Sequence, residues 1–392
     1  MSKTLVVKLS MFLMAGILAT TAVYGAQTNP IKIGAFLSIT GPNAPLGTPE
    51  KETLLMVEEQ INKNGGVNGR PVQVIIEDDG SEPTNAVKAA KKLLEQDKVC
   101  VLIGSSGTGT TMAVVGLAAD AKVPLVSCAA GIPITVDSTD PKAPATRKYI
   151  FRTPQTDVTV MNKILDYLKR SKINKVALIY DSNAFGASGK EQLDKLAPEY
   201  KIDVVAEESF NTKDTDMTVQ LSKIKNTKAQ VIICWGTNPA PALITKAVKQ
   251  MGIKIPLIQS HGVANTAYLE LSGPAANGVR LPAGKLLVAE SLPDKDKQKP
   301  VLLAYAKDFM AKYGRSADTF GGHAWDAFYI VVNALKKSGE DPEKLRDEIE
   351  KTKNFVGISG TFTFTPKDHD GLSLDAVVMV EIKNGKWTLL KQ

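Results

Sequence analysis

Three cysteines and three histidines in 392 residues leave little material for metal or redox chemistry. His261, His323 and His369 stand 62 and 46 residues apart, so no pair has the helical spacing of metal ligands. Cys100, Cys128 and Cys234 are odd in number, and each falls in or beside an apolar strand segment. That pattern reads as buried free thiols rather than a disulfide framework. The 48 basic side chains exceed the 41 acidic ones but form no block and are not interleaved with aromatics, which argues against a nucleic-acid partner. The apolar stretch Leu9–Val23 is short for a membrane span. Lys3 and Lys8 flank its start and Val23-Tyr24-Gly25-Ala26 ends it, so residues 1–26 are expected to be a secretory signal peptide cut after Gly25 or Ala26. No cysteine stands near that point to carry a lipid. Loss of the two lysines takes the formal charge from +7 to +5.

Catalytic motifs are missing as well. Gly104-Ser105-Ser106-Gly107-Thr108-Gly109-Thr110-Thr111 has Thr110 where a phosphate loop needs lysine, and Met112 follows where a dinucleotide loop needs glycine. A serine-hydrolase elbow needs glycine at Thr108. Asp368-His369-Asp370-Gly371 has fragments of a calcium loop but no glutamate at the twelfth position, and a hairpin turn explains it better. No nucleophile, base and oxyanion donors assemble, so the chain is expected to be neither an enzyme nor a holder of a metal or cofactor.

What is present is a core-forming composition, 43% hydrophobic and 23% charged. It is organised around Val101–Gly131. An apolar strand ends at Gly104, small residues follow from Ser105 to Gly109, and a helix begins that Thr108 or Thr110 is placed to cap. A second strand, Val123–Ser127, ends in Cys128-Ala129-Ala130-Gly131. Two strand ends and a helix N-terminus make a seat for an anion such as a carboxylate.

A βα rhythm runs on both sides of this stretch. Strands are expected at Ile31–Ser38, Val72–Glu77 and Val99–Gly104, with helices from Pro49 to Asn64 and from Thr84 to Gln96. After the turn-rich Pro141–Arg147, strands Val176–Tyr180, Asp203–Ala206, Ala229–Trp235 and Ile255–Gln259 alternate with helices at Asp157–Ser171, Ala187–Tyr200, Asp216–Lys225 and Ala240–Met251. This predicts an α/β chain with two doubly wound parallel sheets. Helices at Pro300–Lys312, His323–Lys337 and Pro342–Lys351 follow, then strands at Thr361–Thr365 and Ala376–Ile382 joined by Asp370-Gly371, and a turn at Asn384-Gly385 into Trp387–Leu390. Ligand capture where strand ends of two such sheets face each other is the function left standing.

Several segments resemble the periplasmic leucine/isoleucine/valine-binding proteins, the type I solute-binding components of branched-chain amino-acid ABC transporters. They are Ile31-Lys32-Ile33-Gly34, Thr40-Gly41-Pro42, Gly65-Gly66-Val67-Asn68-Gly69-Arg70, Asp78-Asp79 and Gly262-Val263-Ala264-Asn265. The resemblance covers nearly the whole chain after the leader. It implies two lobes joined by a three-segment hinge, residues 27–148 and 284–358 forming one lobe and 149–283 and 359–392 the other. It also implies a periplasmic monomer that binds an amino acid or organic acid and docks on a membrane permease. The rival is a periplasmic protein that feeds a membrane sensor; a hydrolase on a similar scaffold is disfavoured by the missing triad. The family's disulfide positions fall on Ser81 and Gly107, so that bond is not expected here.

By position, the resemblance assigns the ligand site to Leu46, Gly107, Thr108, Ala129, Ala130 and Gly131 in the first lobe and to Phe185, Thr237 and His261 in the second, with Phe320 and Trp325 walling the apolar end. Thr108 matches the hydroxyl that holds the carboxylate, and Gly131 replaces a threonine. His261 stands where the amino-acid binders have the glutamate that neutralises the ligand ammonium. A histidine supplies no negative charge, and a buried ammonium without one is costly. The expected ligand is therefore an aromatic or aliphatic acid without an ammonium, unless Asp181 or Asp326 takes the glutamate's place and the ligand is still an amino acid.

Overall fold

Ile31–Leu37 is buried along almost its whole length, as a strand covered on both faces must be. In the computed structural model, which describes residues 29–140 and 142–390, this strand lies inside a five-stranded parallel sheet. Its neighbours are Val72–Asp78 and Leu102–Gly104, followed by Leu125–Ser127 and Ile150–Arg152. Helix Ala44–Lys63 and the late helices Lys299–Tyr313 and Thr319–Ser338 cover one face around Ile33, Leu37, Ile103, Val126 and Phe151. Helices Pro83–Lys91 and Thr108–Asp120 cover the other, around Phe36, Leu102, Leu125 and Ile150. The expected signal peptide lies outside the described residues.

The second sheet has seven strands. Lys175–Asp181, Asp203–Phe210, Val231–Trp235, Leu257–Gln259 and Arg280–Gly284 run parallel. Val377–Lys383 then adds antiparallel to Arg280–Gly284, and Lys386–Leu389 pairs back on it. The sheet is thus mixed rather than wholly parallel. The Asn384-Gly385 turn has positive φ at both residues (50° and 72°), which matches the right-handed twist of the strands it joins. Asp370-Gly371, by contrast, joins no hairpin between the expected strands. Thr361–Phe362 pairs with Phe355–Val356, and Asp370 turns inward to meet Arg152 Nε at 2.6 Å.

Helix boundaries shift in two informative places. The first helix starts at Ala44, so Pro49 lies inside it rather than at its start. Helix Thr108–Asp120 begins after Gly107, and neither Thr108 nor Thr110 caps it: Thr108 is its first residue, with its hydroxyl unpartnered, and the Thr110 hydroxyl bonds back to the Gly107 carbonyl.

The chain passes between lobes three times, around residues 153–156, 284–285 and 372–374. Two of these crossings differ from the expected boundaries. Ile150–Arg152 is a strand of the first sheet, so 149–152 belong to the first lobe. Phe362 and Phe364 are buried in the first core, which takes residues 359–372 with them. The first crossing is anchored to the first lobe by Gln155 Nε2, which donates to the Ser359 carbonyl at 2.7 Å, and by Thr153 Oγ1, which donates to the His323 carbonyl at 2.9 Å.

Candidate functional site: a cleft between the lobes

Strand ends and helix starts from both lobes converge on a cleft of about 410 Å³. The first turns of four helices reach it, at Asn43 and Leu46, at Gly107–Thr110, at Asn183 and Phe185, and at Phe320 and His323. Each helix start carries a partial positive charge. Two of them are already satisfied by side chains: Asn183 Oδ1 accepts from the Phe185 and Gly186 amides, and Asp318 from those of Phe320 and Gly321. The start of helix Thr108–Asp120 is different. Gly107 has no side chain with which to cap it, so its first-turn N–H groups keep their capacity for an outside acceptor. Thr108 Oγ1 is buried there without a hydrogen-bond partner.

A glycine is required beside it. A Cβ on Gly131 would come within 2.4 Å of Thr108 Cγ2, so any larger residue would push the threonine out of place. Gly131 itself is buried behind Thr108 and does not line the cleft; its contribution is to leave room for that side chain.

The cleft has two ends of different character. At the outer end the exposed Glu82 and Lys213 face each other across the lobes at 3.4 Å, among Ser81, Asn183 and Asn211. Thr237 Oγ1 donates to Asn43 Oδ1 at 3.1 Å, a second polar contact between lobes. The inner end is walled by Phe185, Phe320 and two histidines. His261 lies edge-on to Phe185 and Trp235, with ring centroids 5.5 and 5.9 Å away, and His323 lies edge-on to Phe320.

Burial keeps both imidazoles neutral. Desolvation, aided by the nearby Arg152 charge, pulls His261 down to about 3, and desolvation together with His261 does the same for His323. His261 is therefore not the cation that a solvated histidine could become. Glu82 is the one carboxylate that lines the cleft among the described residues, and it sits at the outer end. Asp326 spends its carboxylate on the Ile358 and Ser359 amides at 2.6 and 2.7 Å. Asp181 accepts from Asn183 N and Thr212 Oγ1, and neither aspartate lines the cleft.

The expected positions Leu46, Gly107, Thr108, Ala129, Ala130, Phe185, Thr237, His261 and Phe320 all line this cleft. Trp325 does not. It follows Phe320 by five helical residues, about 140° around the axis, and packs on Tyr329 and Phe355 against the first core. Sequence reasoning missed His323, Asn183 and Lys213, and it placed Cys128 in the seat without giving it a role. Of these, His323 alone had a local signal, since it lies one turn beyond Phe320 on the same helix face. The Cys128 thiol is buried in the cleft floor, where desolvation holds it protonated.

Comparisons with known proteins agree with this geometry. The family described as periplasmic binding protein matches residues 30–386. A leucine-, isoleucine-, valine-, threonine- and alanine-binding protein of Pseudomonas aeruginosa is 28% identical over 365 residues, covering 92% of each chain. An extracellular ligand-binding receptor from Rhodopseudomonas palustris HaA2 is 29% identical, covers 93% of this chain and 100% of its own, and superposes with a TM-score of 0.85. The substrate-binding protein of a branched-chain amino-acid transporter from Streptococcus pneumoniae, solved with isoleucine, is 26% identical with a TM-score of 0.80, covering 91% of this chain and 97% of its own.

Proposed function

The chain belongs to the periplasmic binding protein family, as a non-enzymatic solute-binding component of a branched-chain amino-acid-type ABC transport system, and from that premise we propose that its own ligand is a small carboxylic acid without an ammonium group. Two of the relatives named above, those of Pseudomonas aeruginosa and Streptococcus pneumoniae, bind amino acids, whose ammonium needs a nearby negative charge once buried. The observation that carries the proposal is the inner end of the cleft. It offers an uncapped helix start and the unpartnered Thr108 hydroxyl, both suited to a carboxylate, and it has no carboxylate of its own. The charge that acts on His261 is the Arg152 guanidinium, which disfavours a second cation there even though Asp370 pairs with it.

The exported protein would act as a periplasmic monomer, holding the acid between its lobes and passing it to the permease. Titration calorimetry of the mature protein with leucine and with benzoate-type acids tests this directly. Heat from an acid and none from leucine is the expected result. Tight leucine binding by the wild type would return the site to the amino-acid class.

A further inference from the structure

Two imidazoles wall the inner end of the cleft, one from each lobe, and their polar atoms are not used up. His261 is 7% exposed, yet neither Nδ1 nor Nε2 completes a well-formed hydrogen bond; the Gln155 backbone lies near enough to act on one edge of the ring and leaves the other without a partner. His323, 3% exposed, commits only Nδ1, to Ser359 Oγ at 2.8 Å. A buried polar atom left unmet is costly, so such a pair is a demand for a complementary group. A neutral imidazole shows one N–H and one lone pair. A second ligand carboxylate only accepts, an ammonium only donates, and a methyl does neither. A hydroxyl does both, and it carries no charge into an end of the cleft that already contains Phe185, Trp235 and Phe320 as neighbours. The space allows it. About 150 Å³ accommodates a benzene ring, and the cleft holds about 410 Å³.

We propose that His261 and His323 read a hydroxyl on the ligand, so that the solute is a hydroxy acid with an apolar or aromatic frame. The inference rests on the acid reading above, whose carboxylate is held by Thr108 and the helix start beside it. The test uses three acids with one skeleton: phenylacetate, mandelate with its hydroxyl beside the carboxylate, and 4-hydroxyphenylacetate with its hydroxyl on the ring. Calorimetric titration of the mature protein should show at least one hydroxylated acid binding about 10-fold or more tighter than phenylacetate, as expected for a site built around a hydrogen bond to its ligand. Which one gains tells where the hydroxyl sits. In His261→Phe that gain should vanish while phenylacetate binding persists, a result that loss of fold would not give. His323→Phe repeats this arm should the first variant fail to fold. Phenylacetate bound as tightly as both hydroxylated acids overturns this inference and leaves the acid reading standing. No heat from any of the three overturns both.

Discussion

His261 is kept neutral by its surroundings, and that makes its behaviour with pH specific. Its folded-state value of about 3 means it does not change charge between pH 5.5 and 8, and the same holds for His323. Acid affinity should therefore stay flat across that range when measured by calorimetry. A rise on acidification through pH 6.5 would mark a histidine titrating normally, and the argument from burial would fail. Replacing the residue tests the charge logic from the other side. His261→Glu places a carboxylate between Phe185 and Trp235, and it should create leucine binding while abolishing that of the acid. Thr108→Ala removes a buried partner and should weaken acid binding by about 1–3 kcal/mol; unchanged affinity would take that hydroxyl out of the site. How legible were these residues? Those at strand ends and in loops could be placed by position alone. His323 could be placed only through Phe320, one turn before it on the same helix face; nothing in the helical sequence itself tells that this turn will be brought opposite a loop some 60 residues away.

At the level of elements, helix Thr108–Asp120 carries the site because it is left unfinished. A glycine at its start costs little in helix stability relative to a capping side chain, and it keeps the amides of the first turn open. Gly107 has φ −111° and ψ 147°, which any residue can adopt, and a Cβ there would meet only the tips of Asn43 and Thr110. Gly107→Asp should therefore fold, cap the helix and place its own carboxylate where the ligand's belongs. The expected outcome is an unchanged circular dichroism spectrum with acid binding weakened at least 100-fold. Another element, helix Asp157–Arg170, opens with a buried aspartate. Asp157 accepts from Ser188 Oγ, and burial raises it to about 7. The folded state thus holds this proton more tightly than the unfolded chain. Stability from it is full below about pH 4 and is lost as pH rises through 7. Asp157→Asn mimics the protonated form, so its melting temperature relative to wild type should be a few degrees more favourable at pH 8 than at pH 5. Elements of this kind were well marked in the sequence by apolar periodicity. Their ends were not: the first helix begins before its proline, and the cap proved to be the glycine rather than a threonine, since both outcomes depend on which groups the neighbouring loops leave unpaired.

For the whole molecule, the alternation of strands and helices was enough to foresee two sheets, because each βα step leaves few other ways to bury an apolar strand. The route of the last hundred residues was less visible. Asp370-Gly371 has the composition of a hairpin turn, but Asp370 is claimed by the buried Arg152, and Phe362 and Phe364 by the first core. Long-range charge pairing and core packing decide such cases, and neither has a local period. The molecule as a unit also makes a prediction of its own. Because only the folded form presents the cleft, a bound acid at 100 times its Kd should stabilise the protein by about 2.7 kcal/mol, seen as a rise in melting temperature that leucine does not produce.

The first sheet receives its second covering layer late. Helices Lys299–Tyr313 and Thr319–Ser338 come after the entire stretch that builds most of the other lobe, yet they close the face formed by Ile33, Leu37, Ile103 and Phe151. Until they arrive, a nascent chain carries an apolar face covered only by helix Ala44–Lys63 at its leading end while the middle of the polypeptide has most of what it needs to collapse. Any truncation ahead of residue 319 would thus lose Phe320 and His323 and, at the same stroke, leave a sticky half-layer prone to aggregation. The order of synthesis leaves the first lobe unfinished until the far end of the chain has emerged.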